Sequence, residues 1–343
     1  MNAGSYLAAL AGALLLGACS RASVPTAAAA PTDDLSTLVP VETARGATQS
    51  AELTPSPARE LARLGISSFY RKYESAAGLP VVASERVNDY ALREARYLAL
   101  GMLQSKPDVL EALIASRLRI VVIAHDEMLT DIPEHEALDS AFWDGRARGL
   151  GPRKKELTVS AAEENLLAFP GDPYAGESVF IHEFAHAIAE KALAAMDPSF
   201  EPRLLDTYQR ARRAGLWEMY YATTSAEEYW AELVQAWFDA NRENDAHHNH
   251  VDTRAELVEY DPAGAALVRD YLGESDFRYV DPRQRQPLGH LEGLDRATLP
   301  TFSWPPEVLQ AFERAAPLTS LQLLSPLAPE GWRKRRPDRN TPA

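Results

Sequence analysis

At 343 residues and a net charge of -14, the chain has room for one large or two ordinary domains. Its acidity argues against a nucleic-acid or anionic-lipid surface as partner. Apolar content is that of an ordinary globular protein, and a single cysteine, Cys19, excludes an intramolecular disulfide. The first element, Tyr6 to Leu16, is an apolar run of eleven residues, too short to span a bilayer as a helix. It reads as the apolar region of a signal peptide, with small residues at the cleavage point.

The string Leu16-Gly17-Ala18-Cys19 resembles a bacterial lipobox. That resemblance implies a lipoprotein signal peptide over residues 1–18 and a lipid on Cys19, the first residue of the mature chain. No Lys or Arg precedes the apolar run, which departs from the pattern, and ordinary secretion with a free cysteine is the competing reading. Ser20 follows the cysteine where an aspartate does not, which for lipoproteins implies the outer membrane. The expected location is the cell envelope, with the membrane as a partner through the lipid. Residues 19–55 are rich in Ala, Pro, Ser and Thr and cannot bury enough apolar surface to order themselves; they read as a disordered tether.

Residues 56–117 are expected to form an N-terminal helical layer. Leu61, Leu64, Ile66, Phe69 and Tyr70 recur at helical spacing, with an end by Gly78-Leu79-Pro80. A second helix is expected from Ser84 to Leu103, and a third from Pro107 to Ser116 with Pro in its first turn. A body over 118–280 then opens on Arg119–Ala124, short, continuous and β-branched, as a buried strand. His125, Asp126 and Glu127 at its end read as a solvated turn, because adjacent strand residues point to opposite faces and chelate poorly. Trp143 to Gly151 is a glycine-rich loop without the Gly-Lys-Ser/Thr ending of a phosphate-binding loop, so nucleotide binding is rejected. Glu163 to Phe169 is expected as a strand, stopped by Pro170-Gly171-Asp172-Pro173, whose residues 165–169 offer an edge to an extended peptide.

The centre of the chain is a helix expected from Gly176 to Leu193, carrying His182-Glu183-Phe184-Ala185-His186. Residues four apart share a helix face, so His182 and His186 project together and suit zinc. Glu183, one position on, is placed to act on a water rather than bind the metal, the pattern of H-E-x-x-H. The competing reading is a pair of hydrogen-bonded core histidines. A catalytic zinc site takes three protein ligands, and Ala189 and Ala192 stand where an extended H-E-x-x-H-x-x-G-x-x-H needs Gly and His. The third ligand is therefore sought in a downstream carboxylate. Residues 226–241 carry an apolar stripe of Tyr229, Trp230, Leu233, Val234, Trp237 and Phe238, with Glu228, Glu232 and Gln235 on the opposite face. Glu228 is the preferred ligand; Glu227, at the flank of the stripe, and Glu190, a turn after His186, are rivals.

Tyr221 to Glu232, Tyr-Ala-Thr-Thr-Ser-Ala-Glu-Glu-Tyr-Trp-Ala-Glu, resembles the second motif of the anthrax lethal factor-like zinc metallopeptidases, and His182 to His186 fits their first. Ser225 stands where that family often has Asn. The resemblance spans residues 176–238 and implies zinc on His182, His186 and Glu228, with Tyr221 donating to the oxyanion or leaving group. Glu183 is then the general base toward a zinc-activated water, and Glu232 a candidate to orient a histidine ligand. The substrate implied is a peptide or protein. His247, His248 and His250, within the polar stretch 241–250, read as a solvated loop rather than a second metal site. Asp261-Pro262 starts a helix through Leu267 and Tyr271. A Pro-rich extension covers 281–343, with one more helix around Trp304, Leu309 and Phe312 and a basic, loose end from Trp332.

The expected fold is α+β, mostly helical and zincin-like, with a small sheet and an active-site helix. The expected activity is zinc-dependent hydrolysis of peptide bonds. The alternative is a non-catalytic zinc-binding lipoprotein or a regulator that binds an envelope partner.

Overall fold

A computed structural model describes residues 57–315, apart from Lys154. The signal peptide, Cys19, the tether and the basic end lie outside the described residues. No described helix is long and apolar enough to cross a membrane.

The fold is α+β, mostly helical, with one five-stranded sheet. Helix α1, Pro57–Arg63, is far shorter than its apolar spacing suggests, because Gly65 at φ +65° ends it. The next stretch is not helical. It forms β1, Lys72–Ala76, and β2, Leu79–Ala83, joined through Ala77 and Gly78. Both linking residues have positive φ, 50° and 104°, the conformation a two-residue hairpin requires. Helix α2, Asp89–Leu103, starts later than Ser84 because the Asn88 side chain caps it, accepting from Tyr90 N at 3.0 Å. Helix α3, Pro107–Ala115, and β3, Arg119–Ile123, lie where periodicity put them.

Three further short elements, α4, Ser140–Trp143, β4, Gly149–Leu150, and β5, Thr158–Ala162, come before the central helix. The sheet order is β1-β2-β3-β5-β4, parallel at β2/β3 and β3/β5 and antiparallel at both outer pairs. Ile120 and Val122 of β3 face the main helical core, while Val121 and Ile123 face Leu61, Ile66, Tyr70, Leu129 and Ile132. Both faces are covered, which is why β3 is continuously apolar.

Glu163 to Phe169 is not a strand. It opens as α5, Glu163–Leu166, and turns through Ala168 at φ +52°. Its polar residues are buried because distant groups satisfy them. Glu163 accepts from the backbone N–H of Asn88 and of His125. Glu164 pairs with Arg148, both side chains fully buried. Asn165 donates to Asp172 at 3.0 Å and to the Glu177 carbonyl at 2.9 Å, and its Oδ1 accepts from Val179 N at 2.8 Å. An unpaired group here would cost about 1–3 kcal/mol, so α5 acts as a polar knot that fixes the start of the next helix. The proposed peptide-pairing edge at 165–169 is thereby withdrawn. The outer strand beside the central helix is β4.

The central helix α6, Val179–Ile188, is capped by Ser178 and continues as a π-helical turn, Ala189–Leu193, and the short α7, Ala194–Met196. Helices α8, Phe200–Arg213, α9, Ala226–Trp237, α10, Arg254–Tyr260, and α11, Pro262–Leu272, complete the core. Asp261 caps α11 as expected, accepting from Gly264 N at 2.9 Å. Burial of Tyr229, Trp230, Leu233, Val234 and Trp237 anchors α9 against the core, each contributing about 1.5–3 kcal/mol.

The described part of the proline-rich stretch, residues 281–315, packs on the body. Phe302 N donates to Pro170 O at 2.8 Å, and the Phe302 and Trp304 rings lie 5.0 and 5.7 Å from the Arg148 guanidinium. The last described helix, α12, Pro306–Ala315, sets Phe312 against Phe142 of α4.

Candidate metal centre

Two capped helix starts build the site. Ser178 accepts from Ile181 N at 3.3 Å and begins α6; Ser225 accepts from Glu228 N at 3.2 Å and begins α9. α6 and α9 pack side by side, locked by Trp230 Nε1 donating to Ala185 O at 2.9 Å. This sets the first turn of α9 against the second turn of α6. Among the described residues, His182, His186 and Glu228 form the one group of three such donors that could share an ion. His182 Nε2 lies 3.2 Å from His186 Nε2, and Glu228 Oε2 lies 3.0 and 3.4 Å from the two.

These separations test the fit to a metal. Bonds of about 2.0–2.1 Å in a tetrahedron leave ligand atoms roughly 3.3 Å apart. The three observed separations cluster about that edge, and two imidazoles with one carboxylate are a zinc donor set. The tautomer also fits. His182 Nδ1 is 2.7 Å from Gln235 Oε1, an acceptor, so Nδ1 carries a proton and Nε2, on giving up its own, would turn a lone pair to an ion between Glu228 and His186. Burial pushes the His182 imidazole down, but hydrogen bonding to Glu228 and the charges of Glu183, Glu228 and Glu232 outweigh it and raise it to about 10. Burial likewise raises the Glu228 carboxyl, and its bonds to His182 and His186 override this, holding it far below the usual carboxylate range. The pocket favours positive charge.

Of the rival carboxylates, Glu227 is exposed and Glu190 lies on the π-helical turn; both line the cleft and neither joins the cluster. Glu232 does not make the hydrogen bond expected of it. Its Oε1 stays 3.7 Å from His182 Nδ1 while Gln235 takes the proton, and Asn241 donates to Glu232 Oε2 at 2.9 Å. On the polar side of α9, Glu232 and Gln235 are buried as fully as the apolar stripe, while Glu228 is half-buried.

Glu183 is held from the opposite wall. Gly151 N donates to its Oε2 at 2.6 Å, just past β4. A Cβ at Gly151 would stand 2.7 Å from His186 Cβ, and one at Gly149 would stand 2.6 Å from Val179 Cγ1. The glycine-rich stretch therefore lets β4 approach α6 closely; its role was not read from the sequence. The signal available was the alternation Gly149-Leu150-Gly151, which puts both glycines on one face of a strand. Tyr221 lies on a turn before α9, its ring centroid 6.1 Å from that of His182. Burial, then the charge of Glu228, raises its hydroxyl well above the ordinary phenol value. The cleft over these residues encloses about 750 Å³.

The 241–250 stretch is a loop but not a solvated one. His247 and His248 are buried, and the His247 carbonyl accepts from Tyr221 N at 2.9 Å. His250 stacks edge-on against Tyr260. His248 Nδ1 meets Asp245 Oδ1 at 3.0 Å, with Glu232 and Glu177 3.7 and 3.8 Å from Nε2. Burial lowers the His248 pKa, but these carboxylates win and raise it from 6.5 to about 10. A folded value above the unfolded one stabilises the protein fully below pH 6.5 and ceases to do so as pH rises through about 10. His248→Gln is expected to cost about 1–3 kcal/mol at pH 6, with the difference from wild type closing toward pH 10 in urea melts. A constant difference across that range would rule out the charged imidazole.

His125, Asp126 and Glu127 lie on a turn past the end of β3, as expected, and diverge toward Glu163, Arg86 and the Ala124 amide, although Glu127 is buried rather than solvated.

The sequence matches no family model and no curated protein. Among solved structures, the Pro-Pro endopeptidase PPEP-2 of Paenibacillus alvei is similar over 57% of this chain and 97% of its own, at 18% identity and a TM-score of 0.36. So slight a likeness decides nothing about this chain.

Proposed function

We propose that this protein is a zinc-dependent peptidase, with His182, His186 and Glu228 as the metal ligands. The observation that supports it most is the convergence of three donors at tetrahedral-edge separations, with Gln235 fixing the His182 tautomer and Glu183 alongside. Zinc held there would supply Lewis acidity, making water a better nucleophile and polarising a peptide carbonyl. Glu183, steadied at Oε2 by Gly151, takes a proton from the attacking water and returns it to the leaving amine. The Tyr221 hydroxyl, kept protonated by its burial, donates to the carbonyl oxygen as negative charge develops. β4 is the outer strand and its residues line the cleft, so an extended substrate pairs with its backbone. In this proposal the lipobox-like Leu16-Gly17-Ala18-Cys19 tethers the enzyme to an envelope membrane.

The test is digestion of a peptide library by the full chain, before and after chelation and after zinc is restored. Cleavage is expected to fall at least about 100-fold on chelation and to return with zinc. Stoichiometric bound zinc without turnover would leave only the non-catalytic zinc-binding reading.

A further inference from the structure

Arg146 lies in the cleft wall between α4 and β4. Its backbone is held at both ends: its N–H donates to Trp143 O and its carbonyl accepts from the Tyr174 hydroxyl, each at 3.1 Å. Its guanidinium lies near enough to the Tyr221 hydroxyl for the two to interact electrostatically.

What this guanidinium lacks is an anion. Arg119, Arg148, Arg242 and Arg285, also withdrawn from solvent, each have a carboxylate within 4.0 Å, and Arg96, Arg254 and Arg296, which do not, donate to backbone carbonyls instead. Among the described residues Arg146 makes no ion pair. The nearby carboxylate, Glu228, is turned to the two imidazoles. Of the other acidic side chains lining the cleft, Glu183 accepts from Gly151 N, and Glu190, Glu201 and Glu227 come from the helices and not from this wall. A half-buried guanidinium facing substrate space, with its backbone fixed and its N–H fork incompletely used, matches a carboxylate in shape and charge.

We propose that Arg146 binds a carboxylate of the peptide substrate close to the scissile bond, which makes the enzyme carboxylate-selective. This rests on the peptidase reading above. The carboxylate comes from an Asp or Glu side chain or from a free C-terminus, and two matched peptide pairs separate these sources. One pair differs as Glu against Gln beside the cleaved bond; the other as a free against an amidated C-terminus.

Wild type is expected to prefer the carboxylate-bearing member of one pair by about 10- to 100-fold in kcat/KM, and that pair names the source. Arg146→Met should bring the ratio close to unity, mainly through KM. Arg146→Lys, which keeps the charge and loses the fork, should retain part of it. A rate loss shared equally by both members of each pair would mean that Arg146 only positions Tyr221, and would overturn the proposal. So would a wild-type enzyme indifferent to both pairs.

Peptide binding to Glu183→Gln, read by fluorescence anisotropy with and without Arg146→Met, separates this inference from the one beneath it. Carboxylate-dependent binding lost with Arg146, but no cleavage by wild type, would sink the peptidase and keep the clamp. Binding blind to the carboxylate would sink the clamp whatever the turnover.

Discussion

Glu183→Gln is expected to lower kcat by about 10²- to 10⁴-fold while leaving zinc content and the thermal midpoint unchanged. The substitution is nearly isosteric, and a glutamine carbonyl can still accept the Gly151 N–H that holds Oε2 at 2.6 Å. What disappears is the ability to take up a proton. Glu183 is absent from the cluster of three donors, so the ligand set is untouched. Stopped assays on the best library peptide, with metal analysis of the same samples, would decide the matter. Turnover within a few-fold of wild type would remove Glu183 as the base. Loss of metal would show that it binds the ion.

The second large effect belongs to Glu228→Ala, which should abolish stable zinc binding, with affinity falling by about 100-fold or more. Glu228 supplies the one oxygen of the donor set, from the first turn of a helix whose start is fixed by Ser225. Without it the two imidazoles keep their 3.2 Å approach but lose the carboxylate that meets them both. Glu227→Ala is the control, since that side chain is exposed at the cleft rim. Competition against a zinc-responsive dye measures both. Tight zinc binding by Glu228→Ala would mean that the carboxylate has been wrongly chosen, and weak binding by Glu227→Ala would say which one replaces it.

The site was legible where its logic is local. Two histidines a turn apart, an acid between them, and a capped helix with a carboxylate in its first turn are all features of spacing. α6, α9, β3 and the start of α11 followed from such patterns. The failures share a cause. The hairpin of β1 and β2 was hidden because Leu61 to Tyr70 satisfies a helical period by accident, and the decisive cue was the left-handed pair Ala77-Gly78. α5 was misread because the burial of Glu163, Glu164 and Asn165 depends on Asn88, Arg148 and Glu177, none of them near enough in sequence to leave a pattern. Gln235 and Glu232 were placed on one helix face with Glu228. Which of them meets His182 is a difference between 2.7 and 3.7 Å, below what a helical wheel resolves.

The two glycines flanking Leu150 carry a consequence for how selectivity could arise in this cleft. Because neither position tolerates a side chain, β4 reaches the cleft through its amides, its carbonyls and the Leu150 side chain alone. Main-chain groups greet every residue type alike. Discrimination between sequences then falls to the side chains on either side of this strand, Arg146 among them, and mutational drift at the two glycines has little room to retune it.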